Sequence, residues 1–166
     1  RRTPAMRERV YTRLAEAQAC SEIDDIVCAE ELLQEVREMR DLNSYELAQM
    51  WNFYAFIAFG QDDYPGAITA YEMVLEQADL PLGMETTTRF TLCQLYFQQE
   101  RYQDSLSMLD SWFGVAENPG PAPYILRAQI YYQLQQYREG IEPVLQAIEI
   151  AQVQDETGRP RADRPI

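Results

Sequence analysis

The sequence predicts an all-α protein, an α-solenoid of about four stacked helical hairpins. Along nearly the whole chain, apolar residues recur at spacings of three and four, as in Leu32, Val36 and Met39, which is the period of one helix face. Short segments rich in Pro, Gly, Asn or Asp interrupt this pattern, as at 118–123, and such residues end helices. The same order of small and large residues also returns at a regular interval, which indicates a repeat protein.

The repeat is clearest when the chain is aligned on Ile26, Tyr64, Tyr102 and Tyr137, which lie 38, 38 and 35 residues apart. A small residue stands nine positions before each of these anchors and another stands three positions after it. The small residues are Ala17, Ala29, Ala55, Ala67, Cys93, Ser105, Ala128 and Gly140. Two antiparallel helices approach closely only where their facing side chains are small, so each pair is expected to hold one hairpin together. Since no hairpin buries its faces alone, the hairpins are expected to stack.

The breaks divide the chain into a helical repeat domain over 1–152 and a tail over 153–166 that is expected to be disordered. The helix pairs are predicted at about 4–21 with 24–40, 44–60 with 63–78, 84–99 with 101–115, and 121–135 with 137–152, which gives hairpins at 4–40, 44–78, 84–115 and 121–152. Thr3 and Pro4 indicate the start of the first helix, and Asn43 with Glu46 has the spacing of a capping box. Pro143 is expected to kink the last helix or to remove one of its hydrogen bonds.

One copy of the repeat, WNFYAFIAFGQDDYPGAITAYEMV from Trp51 to Val74, resembles the tetratricopeptide repeat (TPR) family. It has the Trp, small, Tyr, Ala, aromatic and small residues of that family at most signature positions. It departs from the family at Ala58, where Tyr is usual, and at Asp79, where the closing Pro is expected. The resemblance covers about 10–151 and implies a right-handed superhelix that binds proteins or peptides.

Three short segments resemble bacterial TPR proteins encoded beside TonB–ExbB–ExbD energy-transduction systems. The segments are 2–11, 42–56 and 112–120. This resemblance implies that the chain is a piece of a larger secreted protein of the Gram-negative periplasm, with a role in a TonB-type envelope system.

The composition argues against an enzyme. The chain has no His, and all 14 basic residues are Arg, which excludes imidazole catalysis, His-based zinc sites and Schiff-base lysines. The sequence contains no phosphate-binding Gly-rich loop, GxSxG, CxxC or HExxH. We therefore expect no catalytic residue, no cofactor and no metal, and Trp51 and Trp112 are interpreted as packing residues.

The cysteines and the paired carboxylates also have structural interpretations. Cys93 is expected in the core, whereas Cys20 and Cys28 flank one turn and either pack in the core or form a disulfide in an oxidising compartment. Asp24, with Asp62 and Asp63, stands at the start of a second helix, where a carboxylate caps the helix and complements its dipole.

The resemblance to TPR proteins places a binding groove along the first helix of each hairpin. Carried over position by position, the expected groove residues are Asn52, Phe56, Phe59, Phe90, Gln94, Phe97, Ile125, Gln129 and Tyr132, with Gln49, Thr87 and Ala122 at the remaining positions. None of these is Lys or Arg, so a clamp for an acidic C-terminus is not expected. Phe59, Phe97 and Tyr132 share one repeat position and are expected to form an aromatic ladder.

The groove and the charge of the chain together predict the kind of partner. The net charge is −13, which repels nucleic acid and anionic lipid and attracts a basic chain. We therefore predict a scaffold that binds an extended basic or Pro-rich segment, or a helix, of a partner protein. It is not expected to bind nucleic acid or to insert into a membrane. Two alternatives stay open: the aromatic residues partly pack within the solenoid and partners use its convex face, or the chain is a self-assembling, homo-oligomeric module.

Overall fold

The computed structural model describes residues 4–156, and these residues form eight α-helices and no strand. The helices are α1 (Glu8–Glu22), α2 (Ile26–Arg37), α3 (Ser44–Gly60), α4 (Tyr64–Leu75), α5 (Leu82–Gln98), α6 (Tyr102–Phe113), α7 (Ala122–Gln133) and α8 (Ile141–Glu156). Helix α1 packs on α2, α3 on α4, and α7 on α8. The prediction of an all-α helical repeat is confirmed.

The chain divides into two compact units, Arg1–Leu95 and Tyr96–Ile166. In the first unit, α3 contacts both α1 and α2, so the first two hairpins stack. One core cluster joins them through Val10, Leu14, Val36, Met50 and Ile57. In the second unit, α7 contacts both α6 and α8.

Three of the four repeat anchors, Ile26, Tyr64 and Tyr102, are the first residues of helices, but Tyr137 is not. Residues 137–140 form a turn, and α8 begins at Ile141. Pro143 therefore lies in the first turn of α8, where a backbone N–H has no partner within the helix. The expected kink is wrong for this reason.

The two ends of the chain also differ from the predicted boundaries. Helix α1 begins at Glu8, with Arg7 as its N-cap, so Pro4 precedes the helix instead of starting it. Thr3 lies outside the described residues. Helix α8 continues through 153–156, which were expected to belong to the tail, and residues 157–166 lie outside the described residues.

Each connection between consecutive helices contains one residue with positive φ, between 47° and 62°. These residues are Asp24, Asp41, Asp62, Asp79, Glu100, Asn118 and Gln135. Within the hairpins, the N–H of the following residue donates to a carbonyl five residues back, as from Asp25 to Cys20 and from Asp63 to Ala58, both at 2.9 Å. This is the bond that closes a Schellman motif, and it satisfies carbonyls that the helix end leaves unpaired.

The same turns correct the assignment of the capping residues. Asp25 caps α2 by accepting from the Cys28 N–H at 3.1 Å, and Asp63 caps α4 by accepting from the Gly66 N–H at 3.0 Å. Asp24 and Asp62, which were also expected to be caps, instead adopt the left-handed conformation. Asp is among the few residues other than Gly that tolerate it.

Six of the eight small residues of the repeat are fully buried. Ala17 and Ala29 belong to one core cluster, and Ala55, Ala67, Cys93 and Ser105 are likewise fully buried. Ala128 and Gly140 are partly exposed. A Cβ added at Gly140 would lie 3.5 Å from the Ala128 carbonyl oxygen, so α8 begins close to the backbone of α7.

Glu46 is a fully buried carboxylate that joins three segments of the first unit. It completes the predicted capping box at the start of α3, in which Asn43 Oδ1 accepts from the Glu46 N–H at 2.9 Å and the Asn43 N–H donates back at 3.1 Å. Arg7 also donates to this carboxylate from its backbone N–H and from its guanidinium, at 2.8–2.9 Å. The chain preceding α1 is thereby tied to the α2–α3 connection.

Burial of Glu46 by itself would raise its pKa, but the hydrogen bonds from Arg7 and Asn43, with the Arg7 charge, lower the pKa below its usual value. A lowered pKa in the folded state stabilises the protein above the pKa of the unfolded chain. This stability is lost as the pH falls through the folded value.

We predict that Glu46→Gln costs about 1–3 kcal/mol of unfolding free energy at pH 7, because charge-assisted hydrogen bonds to a buried group are lost. Below about pH 4.3, the ordinary Glu pKa, wild type should lose stability more steeply than the variant. Urea unfolding between pH 7 and pH 3 measures both effects. Parallel pH profiles for the two proteins would contradict the assignment.

Candidate protein-interaction site

A groove runs between α1 and α3 in the first unit and contains two neighbouring cavities. The larger, of about 500 Å³, lies where both helices end, and we call it the acidic cavity. It is lined by Gln18, Ser21, Glu22, Asp24, Ile26, Asn52, Phe53, Phe56, Ile57, Gly60, Gln61 and Tyr71. The smaller, of about 300 Å³, is the apolar cavity. It is lined by Met6, Tyr11, Leu14, Ala15, Gln18, Tyr45, Gln49 and Phe53.

Gln18 and Phe53 line both cavities, so the two form one continuous site, the α1–α3 groove. On α1 the groove extends from Tyr11 to Glu22, which is about 16 Å at the rise of an α-helix. A segment of about five extended residues, or a helix of three turns, has this length.

The acidic cavity has apolar walls and a polar rim. Phe56 is 59 % exposed although it is a large aromatic residue, and Phe53 and Ile57 lie beside it. Carboxylates are present at Glu22 and Asp24, and no Arg lines either cavity in the described part of the chain. The arrangement offers apolar contact area within a negative surface.

A disulfide joins Cys20 and Cys28, whose Cα atoms are 5.8 Å apart. Of the two alternatives that the sequence left open, core packing or a disulfide, the structure has the disulfide. The closed loop contains Ser21, Glu22, Asp24 and Ile26, all of which line the acidic cavity. Cys93 is buried and lies outside this disulfide, as expected for a core residue.

Among the groove residues proposed for the second hairpin, Asn52 and Phe56 line the acidic cavity. Phe59 does not line either cavity of the groove. Its ring contacts the Tyr64 ring edge to face, with centroids 5.6 Å apart. Gln49, at the first position of the same set, lines the apolar cavity.

The contact between Phe59 and Tyr64 is repeated in the second unit. Phe97 packs on Tyr102 and Tyr132 packs on Tyr137, each edge to face with centroids 5.4 Å apart. Each ladder aromatic thus stacks on the anchor tyrosine of its own hairpin, five residues later. That constant separation in the sequence was the available signal for the contact.

The remaining groove residues divide between the two units. In the first unit, Phe90 is half-buried and Gln94 is exposed. In the second unit, Ile125, Gln129 and Tyr132 line one shallow cavity of about 520 Å³ between α7 and α8.

Sequence reasoning missed the contribution of the first hairpin. The groove positions of the second hairpin lie 15, 12, 8 and 5 residues before its anchor, Tyr64. The same offsets from Ile26 give Tyr11, Leu14, Gln18 and Ser21, and all four line the α1–α3 groove. The repeat register could therefore have predicted these four groove residues, although the first hairpin is the weakest match to the repeat.

Comparison with solved structures places this fold in a known class, that of TPR-like helical-repeat proteins. No protein-family model and no curated protein matches the chain. One crystal structure of MamA protein superposes with a TM-score of 0.69 at 14% identity, over 93% of this chain and 79% of that chain. A MamA structure from AMB-1 gives 0.68 at 16% identity, over 93% and 79%, and a MamA RS-1 double mutant gives 0.66 at 19%, over 88% and 77%.

Residues 4–156 contain no group of three or more His, Cys, Asp or Glu side chains placed to hold a metal ion. None of their helices is both long enough and apolar enough to cross a bilayer.

We predict that Cys20→Ser/Cys28→Ser lowers the unfolding free energy by about 2 kcal/mol, because the disulfide closes a short loop and restricts the unfolded chain. Urea unfolding measures the change. Dithiothreitol should bring wild type to the stability of the variant and leave the variant unchanged. Thiol titration in urea without reductant should find one thiol per wild-type chain, and three would contradict the disulfide.

Proposed function

We propose that this chain is a non-catalytic scaffold that binds a segment of a partner protein in the α1–α3 groove. The observation that carries the proposal is an open groove with an exposed aromatic residue, Phe56, in a wall shared by two stacked hairpins. Aromatic residues supply contact area at low entropic cost, and Gln and Asn side chains bond to a peptide backbone. The TPR-like fold supports this class of function, while the chemistry of the groove supports the site.

The partner segment that suits this site is basic or Pro-rich. The chain has a net charge of −13, which accelerates encounter with a basic chain and opposes binding to nucleic acid. A TonB-type envelope system, suggested by the sequence resemblance, would supply such a segment. The Cys20–Cys28 disulfide favours an oxidising compartment such as the Gram-negative periplasm.

Gly60→Leu tests the groove directly. Gly60 lines the acidic cavity, its φ is not positive, and a Cβ added there meets nothing within 4 Å. The new side chain should therefore occupy the groove without strain. We expect proteins that wild type retains from a bacterial envelope extract, identified by mass spectrometry, to be lost with the variant.

Gly83→Leu is the matched control, because a Cβ at Gly83 also meets nothing within 4 Å and Gly83 lines neither cavity of the groove. It should retain the same proteins as wild type. If Gly60→Leu keeps the wild-type circular dichroism spectrum and still retains those proteins, the groove is not the binding site.

Self-assembly is the second candidate function, and the α7–α8 hairpin favours it. Its exposed apolar side chains include Ile141, Val144, Leu145 and Ile148, each between 44% and 60% exposed. The repeat positions of Ile141 and Val144 correspond to Ile68 and Leu109, which are buried. An apolar face of this kind is typical of an interface.

Light scattering over a range of concentrations tests this candidate. We expect wild type to form dimers as concentration rises and Val144→Glu/Leu145→Glu to stay monomeric, because paired charges in an apolar interface are unfavourable. A wild-type chain that is monomeric at every concentration would exclude the candidate.

A further inference from the structure

We propose that the α1–α3 groove selects an extended segment with two different anchors, an apolar side chain in the apolar cavity and a Lys or Arg in the acidic cavity. This inference rests on the proposed function and specifies its ligand. The two cavities share the wall formed by Gln18 and Phe53 but differ in charge and in the helix ends that surround them.

The acidic cavity favours a cation because two sources of negative potential meet there. Glu22 and Asp24 are exposed carboxylates, and α1 and α3 both end at this cavity, at Glu22 and Gly60. The C-terminal carbonyls of a helix carry partial negative charge, which attracts cations. The opposing N-terminus of α2 is capped by the Asp25 carboxylate, which accepts from the Cys28 N–H and offsets its positive potential.

The walls of the acidic cavity suit the stem of a long basic side chain. Phe53, Phe56 and Ile57 provide apolar surface beside the two carboxylates. Lys and Arg bury their methylene groups on such a surface while the charged head stays near the acidic rim. The exposed ring of Phe56 also offers a face for a cation–π contact.

The apolar cavity contains no carboxylate and no Arg among its lining residues. Met6, Leu14 and Phe53 supply apolar surface, and the Tyr45 hydroxyl already accepts a hydrogen bond from Gln49 Nε2 at 2.9 Å. An unpaired charge placed here would be desolvated without compensation. An aliphatic or aromatic side chain instead gains free energy in proportion to the apolar area it covers.

The distance between the cavities sets the spacing of the two anchors. The lining residues of α3 centre near Gln49 in the apolar cavity and near Phe56 in the acidic cavity, about 10 Å apart along the helix. Three residues of extended chain span that distance. The Gln18 side chain, whose Nε2 donates to Glu22 Oε1 at 3.1 Å, lies in the wall shared by both cavities, and Asn52 lines the acidic cavity. Their amide groups can bond to the unpaired backbone groups of an extended segment, whereas a helix satisfies its own.

Three synthetic peptides of ten residues test the proposal by isothermal titration with the whole 166-residue chain. The reference probe carries one Leu and one Lys three positions apart in a Ser/Pro background. The second replaces Lys by Glu, and the third moves the Lys to seven positions from the Leu, as a helix would require. We expect the second probe to bind at least about tenfold more weakly than the reference probe. The third should also bind more weakly than the reference probe, because only one of its two anchor side chains can reach its cavity.

Two charge-neutralised variants separate a local effect from the overall negative charge. Glu22→Gln/Asp24→Asn removes the carboxylates of the acidic cavity, and Asn keeps the left-handed conformation of residue 24. Glu30→Gln/Glu31→Gln removes the same charge from exposed positions of α2 that line neither cavity. Glu22→Gln/Asp24→Asn should weaken binding of the reference probe about fivefold, and Glu30→Gln/Glu31→Gln should weaken it by less than about twofold.

The results of these experiments distinguish failure of the two-anchor proposal from failure of the proposed function. If Gly60→Leu abolishes binding but Lys and Glu probes bind alike, the groove stands and the two-anchor proposal is overturned. If Gly60→Leu binds every probe as wild type does, both fail. Absence of binding by the reference probe at about 1 mM also overturns the two-anchor proposal, and the envelope-extract experiment then decides the function alone.

Discussion

Each hairpin closes through a turn in which one residue adopts positive φ and the next donates to a carbonyl five residues back. This turn fixes where the second helix starts relative to the first, and the small residues on both sides of it let the two backbones approach. The constraint is geometric: a larger side chain at Ala17 or Ala29 would separate the helices, since both are fully buried in the core. The groove forms where two such closely packed pairs, the first two hairpins, stack on each other.

In the first unit, stacking leaves the inner sides of α1 and α3 side by side without filling the seam between them. Glu46 anchors one end of this arrangement by holding Arg7, before α1, to the start of α3. The Cys20–Cys28 disulfide holds the other end, where four residues of its loop line the acidic cavity. The Arg7–Glu46 contact and the disulfide thus hold opposite ends of the groove walls. The stability of the domain and the shape of its candidate binding site therefore depend on the same contacts.

The aromatic residues show how a correct repeat register can still give an incomplete account of a surface. Phe59, Phe97 and Tyr132 occupy one repeat position, and each stacks on the tyrosine five residues later. One part of each ring is therefore covered by this tyrosine, and the rest is exposed; Tyr132 is 64 % exposed. The more open aromatic surface of the first unit is at Phe56, one turn earlier on α3, which is 59 % exposed whereas Phe59 is 46 % exposed.

The sequence by itself determined the helical class, the starts of α2, α4 and α6 at the repeat anchors and the capping box at Asn43 and Glu46, because each depends on local spacing along one chain. Tertiary structure decided the rest. Pro143 fell in a first turn because α8 began four residues later than the repeat implied, and Arg7 reached Glu46 across 39 residues. The α1–α3 groove depends on which side chains of two different hairpins meet. The spacing of residues within one hairpin does not determine how far that hairpin lies from the next.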